Sequence, residues 1–276
     1  NLEWNIAGGG VDVLSELSSQ KLALAQMQAA AQVNMKNDWR IRADLGYGEI
    51  SSGTNQDSDY SGNNRTLEFS RSSNKAGGNV GDVSIALGKT LRLLDQTVGK
   101  FIYVTPSIGL SVHQQNLTMT EGVQTVSRPD LVPPGVGGAP LGPFAGLNSR
   151  YAAQWQGPWI GIEALIEAGS NISLTASAEY HVADYLAKAN WNLRNDFAHP
   201  VSFKHTAKGQ GIVGSVGASY PIAKNWTMNL ILKYHQWSTR AGSDLIYFAD
   251  GSVGRTRLNS VNWESTAYNL EIVHQF

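Results

Sequence analysis

Large apolar residues recur at every second position along most of this chain, in short runs parted by polar stretches. The cleanest run sets Trp226, Met228, Leu230, Leu232 and Tyr234 against Thr227, Asn229, Lys233 and His235. Trp39, Ile41, Ala43, Leu45 and Tyr47 oppose Arg40, Arg42 and Asp44 in the same way. Ile172, Leu174, Ala176, Ala178, Tyr180 and Val182 oppose Ser173, Thr175, Ser177, Glu179 and His181. The last stretch, Asn262–Phe276, places Tyr268, Leu270, Ile272, His274 and Phe276 on one parity and mostly polar residues on the other. A period of two with one apolar and one polar face predicts strands lying between two different environments. Leu22–Met35 is rich in alanine, which keeps a helix as the alternative there. Its glutamines 26, 28 and 32 nevertheless share one parity opposite Met27, Ala29, Ala31 and Val33, which predicts a strand.

The pattern gives about ten strands, and their connections alternate between long and short. The long ones begin near Gly10, Ser51, Thr120, Ala187 and Arg240, and the short ones lie near Lys36, Gln96, Gly169 and Ala223. Val11–Gln20 reads as a polar connection. Ser51–Gly78, Glu121–Ser149, Asn190–Thr206 and Thr239–Ser260 read as long loops, with strand extensions near Thr66–Arg71. The expected fold is all-β: one transmembrane antiparallel β-barrel over residues 1–276, with long extracellular loops and short periplasmic turns. A closed barrel leaves no unpaired edge in lipid. The edge strand of a soluble sandwich is the alternative for the final run, but a sandwich gives no reason for alternating connection lengths.

Composition narrows the setting. Hydrophobic residues make up 42% of the 276, and no window approaches the roughly 18 consecutive apolar residues of a spanning helix. A barrel strand needs only about ten residues, half of them polar. Net charge is −1 and there is no cysteine, so neither a nucleic-acid surface nor a disulfide or thiolate site is expected. Eight tryptophans and ten tyrosines suit interfacial girdles, and Trp4, Trp39, Trp155, Trp159, Trp226 and Trp263 are expected to anchor strand ends. Location in a bacterial outer membrane, after removal of a signal peptide, follows as the expectation, with outer-membrane lipid as the surroundings.

A C-terminal strand ending on Phe276 resembles the closing strand of bacterial outer-membrane barrels, although His274 stands where that group carries an apolar residue. The likeness to one family, the omptins, goes further. Val13–Asn34 (VLSELSSQKLALAQMQAAAQVN) is similar to the omptin stretch leading into an Ala-rich second strand. Gln56–Tyr60 (QDSDY) resembles the omptin motif whose two aspartates hold the attacking water, which maps onto Asp57 and Asp59. The resemblance implies a surface endopeptidase, with lipopolysaccharide among its lipid partners. Where omptins carry Asp–Glu–His in the fourth outer loop, this chain has Asn190–Trp191–Asn192. Asparagine cannot accept the proton that the mechanism requires. A slipped alignment offers Asp196 and His199, three residues apart.

Inside the barrel, Arg40, Arg42, Asp44, Glu163, Glu179, His181, Lys233 and His235 share inward parity. They read as a salt-bridged lumen network, with proton handling or ligand binding as the alternative. His113, His181, His199, His205, His235 and His274 have no defensible ligand spacing, so no metal and no cofactor are expected. Gly8–Gly10 and Gly135–Gly138 precede no helix and are not phosphate loops. Three functions follow as expectations. The first is a non-proteolytic barrel whose outer loops bind a protein partner or serve surface assembly or export. The second is an endopeptidase using Asp57, Asp59, Asp196 and His199. The third is a small diffusion channel.

Overall fold

The computed structural model describes residues 1–95, 100–132, 139–167 and 171–276. In chain order the strands are β1 (Leu2–Gly8), β2 (Val11–Asn34), β3 (Trp39–Tyr60), β4 (Glu68–Lys89), β5 (Leu91–Asp95), β6 (Lys100–Ser127), β7 (Gly142–Phe144), β8 (Ser149–Glu167), β9 (Ser173–Asn190), β10 (Phe203–Ala223), β11 (Trp226–Thr239), β12 (Gly242–Tyr247) and β13 (Val253–His274). Ten of them form one antiparallel ring, β1-β2-β3-β4-β6-β8-β9-β10-β11-β13, which closes where β13 pairs with β1. Strand β5 continues the wall below β4, β7 adds to the top of β6, and β12 inserts between β10 and β13 at the top. Among the described residues there is no α-helix, only two 3₁₀ turns. The all-β barrel of about ten strands is the expected one, and Leu22–Met35 lies in strand β2 rather than in a helix.

Closure runs through β1 over Leu2–Gly8. Below it, Lys21–Asn34 of β2 and Glu264–His274 of β13 face each other with no strand pairing between them among the described residues. The expectation of no unpaired edge therefore holds for the upper wall and fails there.

The walls are taller than a membrane. The 22 residues of β3 span roughly 70 Å of strand, or roughly 55 Å of height at a tilt of about 40°, against an apolar band of about 25 Å. The lower part of each strand points apolar side chains outward: Leu45 and Tyr47 on β3, Ile108 and Leu110 on β6, Ile160 and Ile162 on β8, Leu230 on β11. In the upper part the relation reverses. On β8 the odd positions Tyr151, Ala153 and Trp155 are buried inside, while the even positions Ile160, Ile162 and Ile166 face out lower down. The register with β9 is unbroken across the change, Gln156 facing Asp184 and Trp159 facing His181. Above the lipid the greasy face must be the inner one, because water now lies outside.

This reversal corrects the expected loops. Val11–Gln20 is the upper half of β2, and most of Ser51–Gly78 belongs to β3 and β4, which meet across a turn at 61–67. Strand β6 runs on to Ser127, and β10 begins at Phe203. Thr239–Ser260 contains β12 and the start of β13. These stretches are polar because their outer face is in water, not because they lack strand structure. The turns expected near Gln96 and Gly169 and the Gly135–Gly138 cluster involve residues outside those described.

The upper interior is a closed core of Leu2, Trp4, Leu17, Leu117, Tyr151, Trp155, Trp237, Leu258 and Val261. Glycines make room for the large rings. A Cβ on Gly211 would lie 2.5 Å from the Trp237 indole, and one on Gly109 would lie 2.4 Å from that of Trp159. Trp4, Trp155 and Trp159 are thus interior plugs, not the interfacial anchors expected of them. Trp39 and Trp226, at the lower strand ends, are exposed as anchors should be.

Candidate functional site

Three constellations carry titratable side chains: a rim site on the upper wall, a buried cluster in the upper interior and a network in the lower lumen. The rim site starts with β3. Strand pairing sets Asp57 between Leu17 of β2 and Ser72 of β4, and Asp59 between Ser15 and Ser70. Just below, the Ser19 hydroxyl donates to Asn55 Oδ1 at 2.6 Å and Asn55 Nδ2 donates to Asn74 Oδ1 at 2.9 Å, all three buried. This cross-strand bridge fixes the register of the three strands that carry the aspartates.

Asp57 and Asp59 are half-buried neighbours of like charge. Desolvation, then repulsion from Asp59, pushes Asp57 up to about 7. Burial also raises Asp59, opposed by Ser15, Arg194 and Ser70. The pair can therefore hold and release a proton near neutral pH. The group hydrogen-bonded to Asp57 comes from the segment after β9: Trp191 Nε1 donates to Asp57 Oδ2 at 3.3 Å. Trp191 packs in turn on Phe203 and Trp4, with ring centroids 4.7 and 6.3 Å apart.

The remaining predicted site residues are nearby in sequence but differently engaged. Arg194 clamps Asp196 with two hydrogen bonds of 2.9 and 2.7 Å, which holds the Asp196 carboxyl below its usual range. The same guanidinium favours the ionised forms of Asp57 and Asp59. His199 Nδ1 faces Asn190 Oδ1 at 2.8 Å. No hydrogen bond joins Asp196 to His199 among the described residues, so the slipped Asp–His pair is not formed. Asn192 is spent on structure as well: its Oδ1 accepts from Asn148 N and Ser149 Oγ, and its Nδ2 donates to Gly146 O. The sequence points to Trp191 only as the middle of the Asn–Trp–Asn run, and its reach to Asp57 depends on how the segment after β9 folds inward.

A second buried cluster escaped the sequence reading. His205 Nδ1 meets Tyr151 Oη at 2.9 Å, Tyr151 Oη meets Tyr185 Oη at 2.7 Å, and His205 Nε2 lies 3.3 Å from Asp244 Oδ1. Burial raises both tyrosines. The four residues come from β8, β9, β10 and β12, and they lie in stretches read as loop or as lipid-facing strand.

In the lower lumen the inward parity is observed. Arg40 pairs with Glu163 across the barrel at 2.8 Å, and Arg42 grips Asp44 through bonds of 2.7–3.0 Å. His181 Nε2 meets Glu179 at 3.0 Å. Lys233 and His235 line the same space, with His235 stacked on Trp263 at 5.9 Å. A further pair, His113 Nδ1 to Asp82 Oδ1 at 2.6 Å, joins the network, and Gln26 also donates to Asp82. Above this layer the rings of Trp155 and Trp237 meet at 5.5 Å, and His113 packs on Trp237 at 4.7 Å. Below it is a cavity of about 1410 Å³. Among the described residues no group of three His, Asp or Glu side chains has the geometry of a metal site.

A family model described as Protochlamydia outer membrane protein matches residues 1–276, and the chain belongs to that family. Among solved structures it is similar to the outer membrane protease OmpT from Escherichia coli. The TM-score is 0.74 at 13% identity, over 100% of this chain and 92% of that one. At this identity the likeness is one of fold. No curated protein matches the sequence. The chain is an outer-membrane β-barrel of OmpT-like architecture.

Proposed function

We propose that this member of the Protochlamydia outer membrane protein family is a non-proteolytic surface barrel, with outer walls and loops that bind a partner at the cell surface. One observation carries the reading: the side chain hydrogen-bonded to Asp57 is the indole N–H of Trp191, 3.3 Å from Asp57 Oδ2. In the omptin arrangement a histidine takes the proton of the water that the two aspartates hold, and an indole N–H, a donor with no basic lone pair, cannot stand in for it. The two asparagines flanking Trp191 are engaged in hydrogen bonds, and amides are not bases at neutral pH. Strand walls extending beyond the apolar band offer a wide outer surface. Its partners are a protein, together with outer-membrane lipid such as lipopolysaccharide. The closed aromatic core of the upper lumen argues against a diffusion channel.

The test is a peptidase assay on the refolded barrel, with and without lipopolysaccharide, against a mixed peptide library read by mass spectrometry. The expected result is no cleavage, with folding confirmed by heat-modifiable gel mobility, followed by pull-down of a protein partner that is lost when the outer turns are shortened. Cleavage that disappears in Asp57→Ala overturns the reading and makes the protein an endopeptidase.

A further inference from the structure

The lower lumen is more than a filled network, because its charges and hydrogen bonds do not close on themselves. The pairs Arg40–Glu163 and Arg42–Asp44 cancel. What remains around the cavity is four carboxylates, Asp82, Glu179, Glu264 and Glu271, against the ammonium groups of Lys21 and Lys233. His113 and His181 add hydrogen bonds to two of these carboxylates. Glu271 takes only an amide bond from Asn229, at 3.3 Å.

Four buried atoms on residues that line the cavity have no partner: His113 Nε2, Gln115 Oε1, Asn229 Oδ1 and His235 Nδ1. His113 turns Nδ1 to the Asp82 carboxylate, and its Nε2 is buried without a partner. Gln115 Oε1 and Asn229 Oδ1 are buried acceptors lacking a donor. His113 and Gln115 are more than nine-tenths buried, at 8% and 5% exposure, and both line the cavity. A buried acceptor without a donor costs about 1–3 kcal/mol, so a site with two unpartnered amide oxygens favours a ligand that carries N–H groups. Excess negative charge on the wall selects the sign of that ligand.

We propose that the lower lumen is a binding vestibule for a small organic cation with several N–H donors, of the polyamine class, entering from the periplasmic end. The aromatic layer of Trp155 and Trp237 closes the outer side, so the vestibule loads and empties without connecting the two sides of the membrane. The cavity of about 1410 Å³, which takes in the unpaired gap between β2 and β13 lined by Leu24 and Leu270, leaves room for an extended amine.

Calorimetric titration of the folded barrel in micelles tests this, with spermidine as probe and sorbitol and citrate as neutral and anionic controls. Saturable binding of spermidine and neither control is expected. Glu271→Gln weakens it roughly tenfold, and Lys233→Gln tightens it several-fold, since one removes an attractive charge and the other a repulsive one. Asp250→Asn, which removes a carboxylate in an exposed outer turn, changes nothing. If Glu271→Gln does not fold, the opposite-signed Lys233→Gln decides alone. Absence of saturable spermidine binding, preference for citrate, or an affinity indifferent to both lumen substitutions overturns the proposal.

Discussion

Trp191 Nε1 donates to Asp57 Oδ2 at 3.3 Å, joining residues 134 positions apart in the chain. The bond ties the segment after β9 to the top of β3 and supplies a donor to a carboxyl that burial would otherwise keep protonated. Trp191→Phe keeps the packing on Phe203 and removes that donor. The expected cost is about 1 kcal/mol at pH 8, where Asp57 is ionised, and less at pH 5, where it is protonated. Thermal unfolding of both proteins at the two pH values checks it; an equal cost at both would mean that the bond does not favour the ionised carboxylate.

Asp57 itself sets a pH dependence. Its folded value, about 7, lies above the ordinary aspartate value of 3.8, so the folded state holds a proton that the unfolded chain has released. The resulting stabilisation is complete below about pH 4 and is lost as pH rises through about 7. Asp57→Asn removes the group that titrates. The variant is expected to melt several degrees higher than the parent at pH 8 and to lose most of the slope between pH 4 and 7. A variant whose melting temperature follows the parent's across that range would show that Asp57 is not the titrating group.

The aromatic layer gives a functional and an energetic expectation. Trp155 and Trp237 are both buried, and truncating either to alanine should cost about 3–5 kcal/mol. In planar bilayers the parent should show no steady conductance. The double variant Trp155→Ala with Trp237→Ala should conduct if it folds, because those two rings meet at 5.5 Å across the upper lumen. Steady conductance by the parent would contradict a closed core.

A backbone position makes the sharpest stability prediction. Gly78 has φ +129, and a Cβ there would lie 1.8 Å from the carbonyl oxygen of Asn116. The contact is with backbone, so no side-chain rotation relieves it. Gly78→Ala should abolish the heat-modifiable folded band, whereas Gly81→Ala, where the nearest atom is 4.0 Å away, should retain it.

Apolar positions at period two were legible wherever one strand face meets lipid, as in Trp226–Tyr234 and Trp39–Tyr47. That was enough to give the barrel and its approximate strand number. The same physics hid the upper walls. On β8 the apolar parity changes between Trp155 and Ile160 while the strand runs on unbroken, and a single-parity reading takes the change for a break. Asp57 and Asp59 stood out in sequence as a pair of acids at a spacing of two, but their neighbours did not. Asp196 and His199 look like a couple at a spacing of three, yet Arg194 takes the first and Asn190 faces the second.

By itself, then, the sequence determined what depends on periodicity. It gave an antiparallel β-barrel with lipid-facing lower strands and a polar lumen. Periodicity is local: alternation along a strand records which environment each face meets. Only the tertiary structure decided that Trp4, Trp155 and Trp159 plug the interior, and that Arg40 crosses the lumen to Glu163. It alone placed an indole, rather than an imidazole, beside Asp57. These relations join residues on strands that are not neighbours in the ring or in segments outside it. Their distances follow from closure of the wall and the folding of its upper connections, neither of which is encoded in the order of residues along one strand.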